Sequence, residues 1–306
     1  MGVETALSQM IVLFFGIIVG FVAYRMGILD DKGCKSVTGL VMNITLPCFI
    51  VLSGLTSTHA TSGPDMLKYF GVSVTCYCIA AILGLLASRL PFFERKDMRL
   101  CAFMTTFGNT GFIGLPFIGG MFGADAVLYA TVFNLPFNLL VFSIGVYLVS
   151  DGSSDVKINP RMFVNPNFVA SLIAIAFYLL GVTLPELPTS CLSTIGSATV
   201  PLSMIITGAT LGKETPKDVF TNPGLYLLSA IKIVAVPLIS FALLTALIPD
   251  PTMVRIGTLL MAMPIAANAT MLCIQYGGND RMASRGVFLS TLFSVATIPL
   301  FVAFIG

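Results

Sequence analysis

Charge is scarce in this chain. Of its 306 residues only 10% are Asp, Glu, Lys or Arg, against roughly 25% in an average soluble protein, and a surface so poor in charge excludes a soluble globular domain. Tryptophan is absent and His59 is the single histidine, so no Cys/His cluster of metal-ligand spacing can form, and neither a metal nor another cofactor is expected. The net charge of +2 leaves no basic face for nucleic acid and no acidic tail for a cationic partner. Seven cysteines sit mostly inside apolar runs and read as small packing residues.

What the chain does have is apolar length. Hydrophobic residues make up 56% of it, and runs of about 20 apolar residues recur from one end to the other, the length that crosses a bilayer as a helix. Ten spans are predicted, at 7–26, 36–57, 66–88, 100–122, 126–149, 165–182, 192–211, 225–247, 256–276 and 284–304. The fold class is therefore an all-α membrane protein of ten transmembrane helices, whose partner is the lipid bilayer. The first run has no basic flank or small-residue cleavage site before it, so it reads as a retained helix and not as a signal peptide. Loops after the odd-numbered spans hold thirteen Lys and Arg and the remaining loops two. By the positive-inside rule the odd loops are cytoplasmic and both termini face outside, in a multi-pass protein of the cell membrane.

The chain also repeats itself. Thr45-Leu-Pro47 followed by Ser53-Gly54-Leu-Thr56 returns 154 residues later as Thr199-Val-Pro201 followed by Thr207-Gly208-Ala-Thr210, and the same offset lays Phe122-Gly123 over Tyr276-Gly277. This divides the chain into a first five-helix repeat at 1–150, a short cytoplasmic linker at 151–164 and a second repeat at 165–306. An odd number of crossings inverts the second copy, giving the 5+5 inverted repeat of secondary transporters that work by alternating access.

The fourth span reads Phe107-Gly108-Asn109-Thr110-Gly111-Phe112-Ile113-Gly114-Leu115-Pro116, too rich in Gly, Asn and Pro for an unbroken helix. It is expected to unwind near its middle, with Pro116 at the first position of a new half-helix and Gly114 before it in a conformation that other residues resist. The ninth span has the same plan in Met263-Pro264-Ile265-Ala266-Ala267-Asn268. Broken backbone at membrane depth survives only beside protein or a water-filled cavity. A central cavity is therefore expected, where half-helix N-termini offer N–H donors and positive partial charge to an anion. The substrate contacts expected in the fourth span are Asn109, Thr110, Gly111, Gly114 and Pro116. Those in the ninth are Pro264, Ile265, Ala266 and Asn268, with Asn43 and Pro47 of the second span and Ser203 of the seventh completing the site. No Asp or Glu lies at mid-span, which disfavours a carboxylate proton relay or sodium site. Lys232 is the only ionisable residue well inside a span. It can supply counter-charge to the substrate, tether a broken helix by its carbonyls, or snorkel to the inner interface. No HExxH motif or GxSxG elbow occurs, so an intramembrane enzyme is disfavoured.

These residues resemble the auxin efflux carrier family, which includes the plant auxin carriers. The likeness runs through Asn43-Ile-Thr-Leu-Pro47, Gly108-Asn109-Thr110 with Gly114-Leu-Pro116, Asn165-Pro166-Asn167 and Met263-Pro264. It implies a 5+5 inverted fold with crossing broken helices in the fourth and ninth spans and elevator-type alternating access. It further implies frequent homodimers, and export or exchange of small organic anions, a mono- or dicarboxylate such as malate or malonate or, in plants, an auxin-like acid such as indole acetate. The substrate carboxylate would then lie near Asn109 and a Pro116/Pro264 crossover. The central linker spans about fifteen residues where plant members carry a long regulatory loop, which argues against auxin as the physiological substrate. Two other readings compete: a sodium-coupled symporter of the bile-acid type, and a channel-like membrane scaffold.

Overall fold

In a solvent that offers no hydrogen bonds, an apolar run must satisfy its own backbone, and it does so as helix. The computed structural model describes residues 3–56, 63–141, 144–150, 166–213 and 220–305, and helices occupy each of the ten apolar runs. His59, Asn165 and the linker 151–164 lie outside the described residues. Among the described residues five helices are long and apolar enough to cross a membrane: Asp31–Leu55, Gly63–Ala87, Glu186–Gly212, Pro223–Leu247 and Asp280–Ile305. Their outward side chains are what lipid requires, with Leu67 71% exposed, Leu187 75% and Leu300 67%.

The first helix, α1 (Val3–Arg25), is followed by α2 (Asp31–Leu40), a π-turn at Val41–Thr45 and α3 (Leu46–Thr56). After α4 (Gly63–Ala87) comes the first broken segment: α5 (Met98–Thr106), an extended gap, a π-turn at Thr110–Gly114 and α6 (Leu115–Phe122). The fifth run, expected as one helix, is described as three pieces, α7 (Ala124–Phe133), α8 (Leu135–Leu140) and α9 (Ile144–Val149), residues 142–143 lying outside the described residues. Asn134 ends α7 because Pro136 has no N–H to continue it.

The second half runs through α10 (Pro166–Leu179), α11 (Glu186–Ser197), α12 (Thr199–Gly212), and α13 (Pro223–Ala230) with a π-turn at Ile231–Ala235 leading into α14 (Val236–Leu247). Then follow α15 (Pro251–Met261), the second gap, α16 (Asn268–Tyr276) and α17 (Asp280–Ile305). The second half-helix of each broken segment stops at a glycine of positive φ, Gly123 at +89° and Gly277 at +79°, a backbone that L side chains rarely adopt.

Small residues let two helix pairs touch backbone to backbone. A Cβ at Gly208 of α12 would collide with the Ile17 carbonyl of α1, one at Gly20 with the Ile205 carbonyl, and one at Gly54 of α3 with the Ala174 carbonyl of α10. Close approach of this kind is how helices associate where burial of apolar surface supplies no drive.

Candidate functional site

The two gaps meet. Phe107 leaves α5 in an extended conformation (φ −96°, ψ 107°), and Gly108 pairs antiparallel with Ile265. The Asn109 N–H donates to the Pro264 carbonyl at 2.6 Å and the Ala266 N–H to the Phe107 carbonyl at 3.0 Å. Each gap thus satisfies the other's backbone, the condition for breaking a helix away from water. Ser290 of α17 accepts the Ile265 N–H at 3.1 Å. Gly108 must be small, because a Cβ there would stand 3.1 Å from Lys232 Nζ and 3.2 Å from the Met263 carbonyl oxygen.

This geometry corrects the expected crossover. The strands cross at Gly108 and Ile265, and the second half-helix begins at Thr110, six residues before Pro116. Pro116 lies inside that half-helix, buried, after a π-turn that makes room for it. Gly114 is plainly helical (φ −64°, ψ −57°); what needs it small is Leu260 Cδ2, 3.0 Å from where its Cβ would be. The N–H groups of Asn109, Ile265 and Ala266 are committed to the crossover. Free donors lie one step further on, where the Gly111 and Phe112 amides have no acceptor among the described residues.

Gly111 and Phe112 line a narrow cavity. Its walls are Met42, Leu46 and Ile50 from the second run, and Asn109, Gly111, Phe112 and Leu115 from the fourth. Asn134, Phe137 and Asn138 of the fifth run, Asn167 of α10, and Ala266 with Ala267 beside the crossover close it. About 20 Å³ is open to the centre of a water-sized sphere, room for about one water. Thr110 Oγ1 donates to Asn134 Oδ1 at 2.7 Å and Tyr77 OH to the same atom at 3.1 Å. Asn138 Nδ2 donates to Ser171 Oγ at 3.4 Å. Asn109 Nδ2 and Asn167 Oδ1 are buried without a partner.

Of the residues expected at the site, Asn109, Gly111 and Ala266 line this cavity, while Thr110 braces it through Asn134. Pro264 and Ile265 form the crossover behind it. Asn43 points away from it, exposed, with Nδ2 donating to the Gly39 carbonyl at 2.8 Å. Pro47 lines a separate apolar groove with Pro166 and Leu192. Ser203 Oγ instead donates to the Phe112 carbonyl at 3.1 Å, the group that Pro116, four residues on, cannot serve. Asn268 opens α16, and its side chain lies outside what is described. Asn134 and Asn138 escaped the sequence reading, although two amides four residues apart in an apolar run are themselves a signal, since a buried amide needs partners.

Lys232 is wholly buried, which rules out snorkelling. It rises from the π-turn between α13 and α14, and Nζ donates to the Met261 carbonyl at 3.3 Å, at the C-terminal end of α15. Unpaired carbonyls and negative partial charge gather at a helix C-terminus, so a cation there holds the cut end of the helix.

The profile of the membrane transport protein family matches residues 5–162 and 154–302 of this chain. An uncharacterized transporter of Methanocaldococcus jannaschii is 25% identical over 304 residues, covering 96% of this chain and 97% of that protein. One of Methanothermobacter thermautotrophicus is 25% identical over 306 residues, covering 97% and 96%. A Rhizobium meliloti protein named "Putative malonate transporter" is 23% identical over 305 residues, covering 95% and 93%. Two broken helices crossing beside a buried cavity, in a chain matched by this profile along nearly its whole length, place the protein in the membrane transport protein family, that of the auxin efflux carriers.

Proposed function

We propose that the protein is a carrier that moves a small organic anion across the cell membrane by alternating access, through ten spans arranged as two inverted five-helix repeats. The observation that carries this is the crossover itself, beside which Asn109, Gly111 and Phe112 line one cavity and the Gly111 and Phe112 amides have no acceptor among the described residues. An anion taken from water needs several donors, and the Gly111 and Phe112 amides supply two of them at the positive end of a helix. The malonate named for the Rhizobium meliloti relative is an anion of this class. No carboxylate side chain lines the cavity among the described residues, so the sodium-symporter reading gains no support.

Support for the repeat comes from packing. Gly54 meets Ala174 as Gly208 meets the α1 backbone, and Gly20 and Ala174, like Gly54 and Gly208, are 154 residues apart. Calorimetry with malonate as probe tests the site. Asn109→Ala deletes one hydrogen bond to a charged group, worth about 1.5–3 kcal/mol, so binding should weaken roughly ten- to a hundred-fold. Unchanged affinity in a folded Asn109→Ala protein would put the substrate elsewhere.

A further inference from the structure

Among the described residues the polar side chains lining the cavity are four amides, Asn109, Asn134, Asn138 and Asn167, and no Lys, Arg, His or carboxylate accompanies them. Lys232, the buried cation nearest the crossover, is turned to the Met261 carbonyl and does not line the cavity. Asn109 and Asn167, 2% and 3% exposed, each hold a buried polar atom without a partner: Nδ2 of Asn109 and Oδ1 of Asn167. They are opposite in kind, since an amide nitrogen donates and an amide oxygen accepts. Asn167 is oriented by its neighbour: Nδ2 lies 3.9 Å from Met42 Sδ, a thioether that can accept but not donate, so Oδ1 is the atom left over.

We propose that the cavity takes a singly charged organic anion that carries a hydrogen-bond donor away from its carboxylate, such as a half-protonated dicarboxylate, a hydroxy acid or an amide acid. This rests on the reading of the cavity as the substrate site and narrows its ligand. The carboxylate takes the Asn109 Nδ2 and the half-helix amides. A second carboxylate would find no cation to offset its desolvation, and would face the Asn167 oxygen, acceptor against acceptor. A proton on that group removes the charge and supplies the donor that Asn167 lacks. A diacid therefore binds as its hydrogen form. Above the second pKa that fraction falls about tenfold per pH unit, and the apparent Kd rises in step.

Three probes of similar size separate the possibilities by calorimetry on the purified protein: malonate; malonamate, with one charge and an N–H donor at every pH; and monomethyl malonate, with one charge and no donor. Malonate should weaken about tenfold per pH unit above its second pKa while malonamate stays constant, and the ester should bind about tenfold more weakly than malonamate. Asn167→Leu should erase the difference between malonamate and the ester. The wild-type comparison stands even if that variant does not fold. Malonate affinity independent of pH, or an ester as tight as malonamate, would overturn the inference. If such pH-flat binding is still weakened by Asn109→Ala, the site reading stands and this inference alone falls, whereas no binding of any probe overturns both.

Discussion

A lysine ammonium sealed from water normally has a carboxylate beside it, and Lys232 has none: among the described residues no ion pair involves it, and its bond is to a backbone carbonyl. Burying an unpaired charge is costly, so a residue of similar length without the charge should not harm the fold. It would, however, release the cut end of α15. Lys232→Met is accordingly expected to keep or raise thermal stability while lowering malonate uptake in proteoliposomes at equal protein content. Wild-type uptake would show that the tether is dispensable. The lysine itself was legible in the sequence as the one ionisable group inside an apolar run, but its partner was not. That partner is a main-chain oxygen, 29 residues further along and present only because a helix ends there, and no side-chain pattern marks it. Asn134 and Asn138 stayed hidden for a related reason, because amides carry no charge to stand out in an apolar run.

At the level of the element, three prolines share one device. Pro47, Pro116 and Pro237 each follow a π-turn by one intervening residue, and the Leu46, Leu115 and Val236 amides reach back five residues to the Val41, Thr110 and Ile231 carbonyls. Proline in a helix removes one N–H and presses on the carbonyl four residues earlier, and a wider turn relieves that contact. In the fourth run the orphaned carbonyl is Phe112, served by Ser203 of α12, whose hydroxyl also lies 3.0 Å from the Val200 oxygen. Ser203→Ala should therefore cost about 1–3 kcal/mol. In a Pro116→Ala background, where residue 116 regains its N–H, the same change should cost less, with a coupling of about 1 kcal/mol in denaturation midpoints. Strict additivity would mean that Ser203 does not serve that carbonyl. Glycine and proline together announced a broken helix correctly, but not where it breaks. Both Pro116 and Pro264 interrupt hydrogen bonding, yet only the second lies in a gap, because what selects the gap is the partner strand that pairs with Gly108, and pairing is tertiary.

For the whole molecule, apolar length made the helices visible and composition made the membrane visible, whereas the direction of each crossing depends on charges in loops. The proposed orientation puts the loops rich in Lys and Arg in the cytoplasm. Lys96, beside Arg95 between α4 and α5, is exposed and pairs with nearby Glu94 at 2.7 Å, and Thr183 is exposed between α10 and α11. Holding such cations on the cytoplasmic side is what the positive-inside rule demands, and three crossings lie between the two positions in a ten-span chain. Single cysteines at these sites should consequently label from opposite faces, Lys96→Cys from inside and Thr183→Cys from outside. The native thiols must first be removed, since Cys78 and Cys191 are exposed. Both substitutions fall on exposed loop positions, where changes are usually within ±0.5 kcal/mol, so a failure to label would not reflect unfolding. An impermeant maleimide applied to intact cells and then to inverted vesicles reads the result. Labelling of both sites from one face would require an even number of crossings between them, which ten spans in this order cannot provide.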